Sequence, residues 1–122
     1  MRTFKSKGFA RFARKERISD VQLAKAIADA ESGLIDADLG GGVIKQRIAR
    51  PHEGKSGGYR SIVLFKAGDR AFFVHGFAKN DQANIERDEL DGFKRLAPVL
   101  LGATNAQIEM LLRTGKFTEI EP

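Results

Sequence analysis

The chain contains no cysteine among its 122 residues. This absence excludes disulfide bonds and thiolate metal sites, and it agrees with a reducing compartment such as the cytoplasm. Long apolar runs are also missing. A membrane-spanning helix needs about 20 consecutive apolar residues, and no segment is that long. The charged N-terminus is not followed by an apolar run of signal-peptide length. We therefore expect a cytoplasmic protein that makes no membrane contact.

Histidine is almost as scarce, since His52 and His75 are the only two in the chain. A zinc site would need carboxylates near both of them. The sequence therefore predicts no metal and no other cofactor. It leaves open whether His75 is a partly buried structural residue or a functional one.

The composition that is present is typical of a folded protein. Apolar residues make up 42% of the chain, charged residues make up 30%, and there are nine phenylalanines. A disordered segment would lack the aromatic residues needed to offset conformational entropy. The length suits one domain over residues 1–122, built around one core.

The spacing of apolar residues predicts helices at both ends and strands in the middle. A short strand at residues 3–5 is followed by a first helix with Phe9 and Ala13 on one face and a second helix that begins near Ser19. After Gly40, Gly41 and Gly42 the period changes to two, which predicts strands around residues 44–48, 60–65 and 71–77, the last two joined by a hairpin.

The helical period returns after Asn80, until Pro98 bends or stops the helix. A last helix is expected from Thr104, which forms a capping box with Gln107, to near Gly115. The predicted fold is α+β, with N-terminal and C-terminal helices packed on one face of a small twisted antiparallel sheet.

Positive charge is concentrated in the middle of the chain. Residues 43–80 contain eight Lys/Arg and two acids, whereas residues 81–122 contain five Lys/Arg and eight acids. Neighbouring strands lie about 4.8 Å apart, so four basic side chains of this region can meet on one face. They are Lys45, Arg47, Arg60 and Lys79. Like charges this close repel one another, which favours a patch that a polyanion neutralises. The alternative is a charged face that is only exposed to solvent, as is common for charged strand residues.

Metal-free RNA cleavage needs a base for the 2′-hydroxyl, a cation at the phosphorus and an acid for the leaving oxygen. Lysine and arginine can supply these roles, because adjacent cations favour the neutral, basic form of a lysine. We assign Arg60 to charge stabilisation, since its planar fork grips two phosphate oxygens, and Lys45 to the base. Tyr59 or Phe77 can stack on an unpaired base.

The glycine-rich segment before Arg60 has three readings. Gly54-Lys55-Ser56 resembles the end of a P-loop, but Ala49 stands where that motif needs glycine and a strand follows instead of a helix. A simple flexible turn is the second reading. We favour the third, a loop that contacts phosphate.

These segments resemble the RelE/HigB toxins of type II toxin–antitoxin systems, within the RelE/ParE superfamily. The resemblance covers nearly the whole chain and depends most on two motifs, Gly54-Lys55-Ser56-Gly57-Gly58-Tyr59-Arg60 and Gly76-Phe77-Ala78-Lys79-Asn80-Asp81. It implies a microbial-ribonuclease-like fold, ribosome-dependent cleavage of messenger RNA, and neutralisation by an antitoxin, commonly a helix-turn-helix protein of the HigA type.

The resemblance also implies roles for individual residues. Catalytic positions fall on Lys45, Arg47, Arg60 and Lys79, and RNA contacts on Arg50, Lys55, Tyr59, His75 and Asn80. RelE has an arginine where this chain has Asn80, and a catalytic tyrosine where it has Glu86 or a neighbour. The identity of the general acid is therefore not fixed by the resemblance, and His75 is one candidate. A non-catalytic RNA- or ribosome-binding inhibitor of translation and a ParE-like gyrase inhibitor are the alternatives.

Overall fold

The computed structural model of the chain describes residues 1–49, 58–78 and 85–121. Within these ranges it contains four helices and six strands, which confirms the α+β class. In chain order they are β1 Arg2–Ser6, α1 Lys7–Glu16, α2 Asp20–Glu31, β2 Ala37–Gly40, β3 Val43–Ile48, β4 Tyr59–Lys66, β5 Arg70–Ala78, α3 Arg87–Leu101, α4 Asn105–Arg113 and β6 Phe117–Glu119.

All of these strands belong to one sheet, in the order β2-β3-β4-β5-β1-β6. The three strands predicted in the middle of the chain are its centre, and the short strand predicted at the N-terminus is β1. The sheet is not wholly antiparallel, because β1 runs parallel to β5. The sequence pattern missed β2 and β6, since four and three residues are too few to establish a period of two.

The helices cover both faces of the sheet, so the expectation of a single covered face and a single core is wrong. Ile44, Ile48 and Val63 pack with residues of α1 and α2. Ile62 and Leu64 point the other way and pack with residues of α3 and α4. Consecutive residues of a strand point to opposite faces, so the unbroken apolar run Ile62-Val63-Leu64 serves two cores.

Capping boxes explain where two helices begin: the one predicted at Thr104 is present, and Ser19, predicted together with Asp20 as a possible N-cap, forms a second. The Ser19 hydroxyl accepts from the Gln22 backbone N–H, and the Gln22 side chain accepts from the Ser19 N–H. Thr104 and Gln107 repeat this exchange at the start of α4. Each box satisfies two backbone donors that the first helical turn leaves without a partner.

Of the two outcomes predicted at Pro98, a bend or a stop of the helix, the stop is wrong. The helix continues to Leu101, and the Pro98 carbonyl accepts from the Gly102 N–H at 3.1 Å. A proline removes one backbone donor, at a cost that tertiary packing can offset. Here Ala97 and Leu100, on either side of Pro98, are buried in the α3–α4 core. None of the helices in the described ranges is long and apolar enough to cross a membrane.

An ion pair joins the two strands at one edge of the sheet and makes stability depend on pH. Arg2 Nη2 and Nε of β1 each lie 2.9 Å from the Glu119 carboxylate of β6. The hydrogen bonds from Arg2 lower the pKa of the Glu119 carboxyl below its usual 4.5. A depressed carboxyl pKa contributes stability that is present above the unfolded value and is lost as pH falls through the folded one.

We expect Glu119→Gln to lower the free energy of unfolding at pH 7 by at most about 1 kcal/mol, since the pair is partly exposed. The difference between wild type and variant should shrink as pH falls below the usual Glu value. Urea unfolding at pH 7 and at pH 3 measures it. A difference that is the same at both pH values would show that the ion pair is not its source.

Candidate functional site

The candidate site lies on the sheet face that α3 and α4 cover, at one end of the three central strands. Residues paired across strands have their side chains on the same face. The register of β3, β4 and β5 forms two neighbouring rows here. One row contains Arg47, Arg60 and Phe77, and the next contains Lys45, Ile62 and His75. Lys45, Arg47 and Arg60 therefore share one face, and we call these three residues the basic cluster.

A carboxylate that the sequence analysis did not identify lies against the basic cluster. Asp36 Oδ2 is 3.3 Å from Arg60 Nε and 4.0 Å from Lys45 Nζ. The Arg60 and Lys45 side chains are only 15% and 21% exposed, whereas that of Asp36 is 32% exposed. Asp36 therefore offsets part of the repulsion between two cations that are largely withdrawn from water.

A buried glutamine fixes the segment that carries Asp36. Gln46 is 3% exposed, and its side-chain amide donates to the carbonyls of Ala26 in α2 and Leu34, each at 2.9 Å. Its side-chain oxygen accepts from the Asp36 backbone N–H at 3.2 Å. These three bonds attach residues 34–36 to β3, because a buried amide without partners would cost free energy.

His75 lies on the same face as the basic cluster but between aromatic rings. Its ring centroid is 5.8 Å from that of Phe77 and 6.2 Å from that of Phe93 in α3. Nε2 is 4.0 Å from a Glu89 carboxylate oxygen, too far for a hydrogen bond. The side chain is 27% exposed, so His75 adjoins the cluster from a mostly enclosed position.

Neither aromatic side chain predicted to stack on a base is available for stacking. Tyr59 is 5% exposed and belongs to the α1–α2 core, where its ring meets Phe12 edge-on at 5.7 Å. It precedes Arg60 in β4, so the two side chains point to opposite faces. Phe77 is on the cluster face, but it too is 5% exposed. The assignment of Tyr59 as an RNA contact is therefore not supported by its position.

Four of the residues singled out from the sequence lie outside the described residues. They are the catalytic candidate Lys79 and the RNA-contact candidates Arg50, Lys55 and Asn80. The proposed phosphate-contacting loop falls there as well, except for its last residues. Glu86, at or near the position of the family's tyrosine, is described and is the N-cap residue of α3.

A groove of about 640 Å³ lies between α2, residues 34–36 and β3, and Arg47 is the member of the basic cluster that lines it. Val21, Leu34 and Ile35 give it apolar walls, and Asp36 and Arg47 belong to its lining. No group of three His, Cys, Asp or Glu side chains within residues 1–49, 58–78 and 85–121 is placed to hold a metal ion.

The sequence analysis missed Asp36 and Gln46 for a physical reason. Asp36 precedes the four-residue strand β2, and its contact with Arg60 spans 24 positions of the chain. The nearest signal is the acidic pair Asp36 and Asp38, which Leu39 separates from the three glycines. Nothing in that pattern says which basic residue the acids would meet.

Fold and site together define a small α+β protein whose central strands present a cationic face of the kind that binds polyanions. A family model described as the RelE toxin of the RelE/RelB toxin–antitoxin system matches residues 1–120. The chain therefore belongs to the RelE toxin family, and it is the toxin component of a toxin–antitoxin system. A search of curated proteins finds no significant match.

Proposed function

We propose that this toxin is a metal-independent endoribonuclease that cleaves messenger RNA on the ribosome and so stops translation. The observation that supports the proposal best is the basic cluster itself. Lys45, Arg47 and Arg60 lie on one face of two paired strands, with two of them largely withdrawn from water. Low exposure strengthens the attraction of a cation for a phosphate.

The proposed reaction is attack of the 2′-oxygen on the adjacent phosphorus. Lys45 takes the proton of the 2′-hydroxyl as general base. Arg60 donates to the phosphate oxygens, where negative charge grows in the transition state, and Arg47 binds the phosphate from the adjacent position. The bond from phosphorus to the 5′-oxygen then breaks, and that oxygen takes a proton from a general acid. His75 is one candidate for this acid, and Lys79 supports the same site.

The proposed partners are messenger RNA on the translating ribosome and a cognate antitoxin. Arg50, Lys55 and Asn80 are proposed RNA contacts together with His75. The antitoxin is a helix-turn-helix protein of the HigA type. Because the substrate is being translated, the toxin acts in the cytoplasm.

Pulse labelling of protein and DNA synthesis after induction tests this proposal. We expect protein synthesis to fall first, because messages are destroyed, while DNA synthesis continues. An uninduced culture and a culture expressing the antitoxin together with the toxin are the controls. A fall in DNA synthesis with DNA-damage signalling would instead favour a ParE-like gyrase inhibitor.

A non-catalytic inhibitor that occupies RNA or the ribosome is the second candidate function. It is favoured by the position of Tyr59, the only tyrosine of the chain, which is buried on the face opposite the basic cluster. A tyrosine therefore does not serve as the general acid. Such an inhibitor would stop translation and leave messages intact.

A further inference from the structure

We propose that Asp36 is a positioning residue of the ribonuclease site, which holds the Arg60 guanidinium in the orientation that receives the phosphate. The inference rests on the function proposed above. It begins with the contact of 3.3 Å between Asp36 Oδ2 and Arg60 Nε. A carboxylate at Nε restricts the rotation of the guanidinium, which still has N–H donors left for a phosphate.

The guanidinium is fixed from a second side as well. Arg60 Nη1 lies 3.4 Å from the backbone carbonyl of Tyr59, a long but correctly directed hydrogen bond. With contacts at Nε and Nη1, the side chain has few rotamers to lose when a phosphate binds. Groups ordered before binding contribute more to a transition state than groups that must be ordered during the reaction.

Asp36 is itself held in place by hydrogen bonds of its segment, unlike a side chain that makes only a chance contact at the surface. Its backbone N–H donates to the buried Gln46 side chain, and Gln46 is fixed in turn by the Ala26 and Leu34 carbonyls. The Gln46 backbone carbonyl accepts from the Ser61 hydroxyl of β4 at 2.9 Å. One buried residue, Gln46, thus links the segment of Asp36 to β4, the strand that contains Arg60.

The other acids of this region have different contacts. Asp29 pairs with Lys25, Asp38 accepts from the Gly40 N–H, and a Glu89 carboxylate oxygen lies 4.0 Å from His75 Nε2. Among the described residues, Asp36 is the acid that contacts both Lys45 and Arg60. A carboxylate beside a phosphate-binding arginine repels the phosphate and so weakens binding. Its presence there is therefore best explained by a contribution to catalysis.

Asp36 thus has two opposing effects, repulsion of the phosphate and orientation of Arg60, and the variant Asp36→Ala removes both. Removing a negative charge should tighten binding of a short single-stranded RNA, up to about fivefold for a partly exposed charge. Loss of orientation should slow single-turnover cleavage of ribosome-bound message by about 10- to 100-fold. Binding and cleavage should therefore change in opposite directions.

Two further variants separate orientation from charge. Asp91→Ala removes the same charge from an exposed position of α3, and it should leave the cleavage rate unchanged. Asp36→Asn lacks the charge but keeps a polar side chain of the same size beside Arg60 Nε, so it should cleave faster than Asp36→Ala. Equal cleavage rates for Asp36→Asn and Asp36→Ala would contradict orientation by a polar contact at position 36.

The decisive comparison is RNA affinity against cleavage rate for wild type and Asp36→Ala, with a thermal unfolding curve for each. An unchanged or faster cleavage rate would overturn the proposal, and so would weaker binding together with slower cleavage. If wild type does not cleave messages at all, the ribonuclease function fails. The NMR signal of Arg60 Nε–H still tests the contact in that case, since it should exchange with water faster in Asp36→Ala than in wild type.

Discussion

Arg60→Ala should abolish growth arrest while the protein stays folded. Arg60 is the member of the basic cluster that Asp36 contacts most closely, and its fork matches two phosphate oxygens. Removing one donor from a site that stabilises transition-state charge lowers a rate by about 100- to 1,000-fold. Arg60→Lys should recover only part of the loss, because an ammonium cannot grip two oxygens in a plane. Cleavage of a defined message in a purified translation system measures both variants.

The matched control removes an arginine from elsewhere on the surface. Arg113 is exposed in the last turn of α4, and Arg113→Ala lowers the net charge by the same amount. It should leave growth arrest and cleavage close to wild type. An Arg60→Ala protein that remains folded and as toxic as wild type would show that Arg60 has no role in the site.

Phe73→Ala should destabilise the protein by about 3–5 kcal/mol, a large part of the stability of a domain this size. Phe73 of β5 is fully buried, and its ring lies 5.0 Å from that of Phe9 in α1. Truncation leaves a cavity between the sheet and α1, which close packing does not allow to collapse fully. Urea unfolding of the purified protein measures the loss.

A conservative variant at position 73 tests whether the cavity causes the loss of stability. Phe73→Leu keeps most of the apolar volume and should cost less than about 1.5 kcal/mol. Because Phe73 lies on the face opposite the basic cluster, Phe73→Leu should also retain toxicity at a permissive temperature. Equal losses for the alanine and leucine variants would show that the cavity is not the cause.

Local signals in the sequence were sufficient for much of the fold. Ser19 was predicted as an N-cap, with Asp20 as the alternative, from its short side-chain oxygen, and Thr104 from the Gln107 three residues on; both are N-caps in the structure. The hairpin between β4 and β5 was predicted from a short loop, in which Gly68 has a φ of 75°. The second covered face was not predicted, because which face a helix covers depends on contacts between elements distant in sequence. The run Ile62-Val63-Leu64 was the available sign that both faces are buried.

In the candidate site, too, the residues that follow from local strand geometry could be predicted, and those that depend on tertiary contacts could not. Lys45 and Arg47 share a face because they are two apart, and the register adds Arg60. Because consecutive residues of a strand point to opposite faces, Tyr59 cannot share the face of Arg60, and this could have been predicted from the sequence. Asp36 and Gln46 could not be placed, since their contacts need the tertiary arrangement of α2, β2 and β3.

Mapping the 5′ ends of messenger RNA shortly after induction tests the central claim most directly. The cultures to compare express wild type, Lys45→Ala, Arg60→Ala and the control Arg113→Ala. We predict new ends inside translated frames for wild type and Arg113→Ala, and none for Lys45→Ala or Arg60→Ala. Growth arrest by wild type without new ends would contradict the account and favour a binding inhibitor or a gyrase inhibitor.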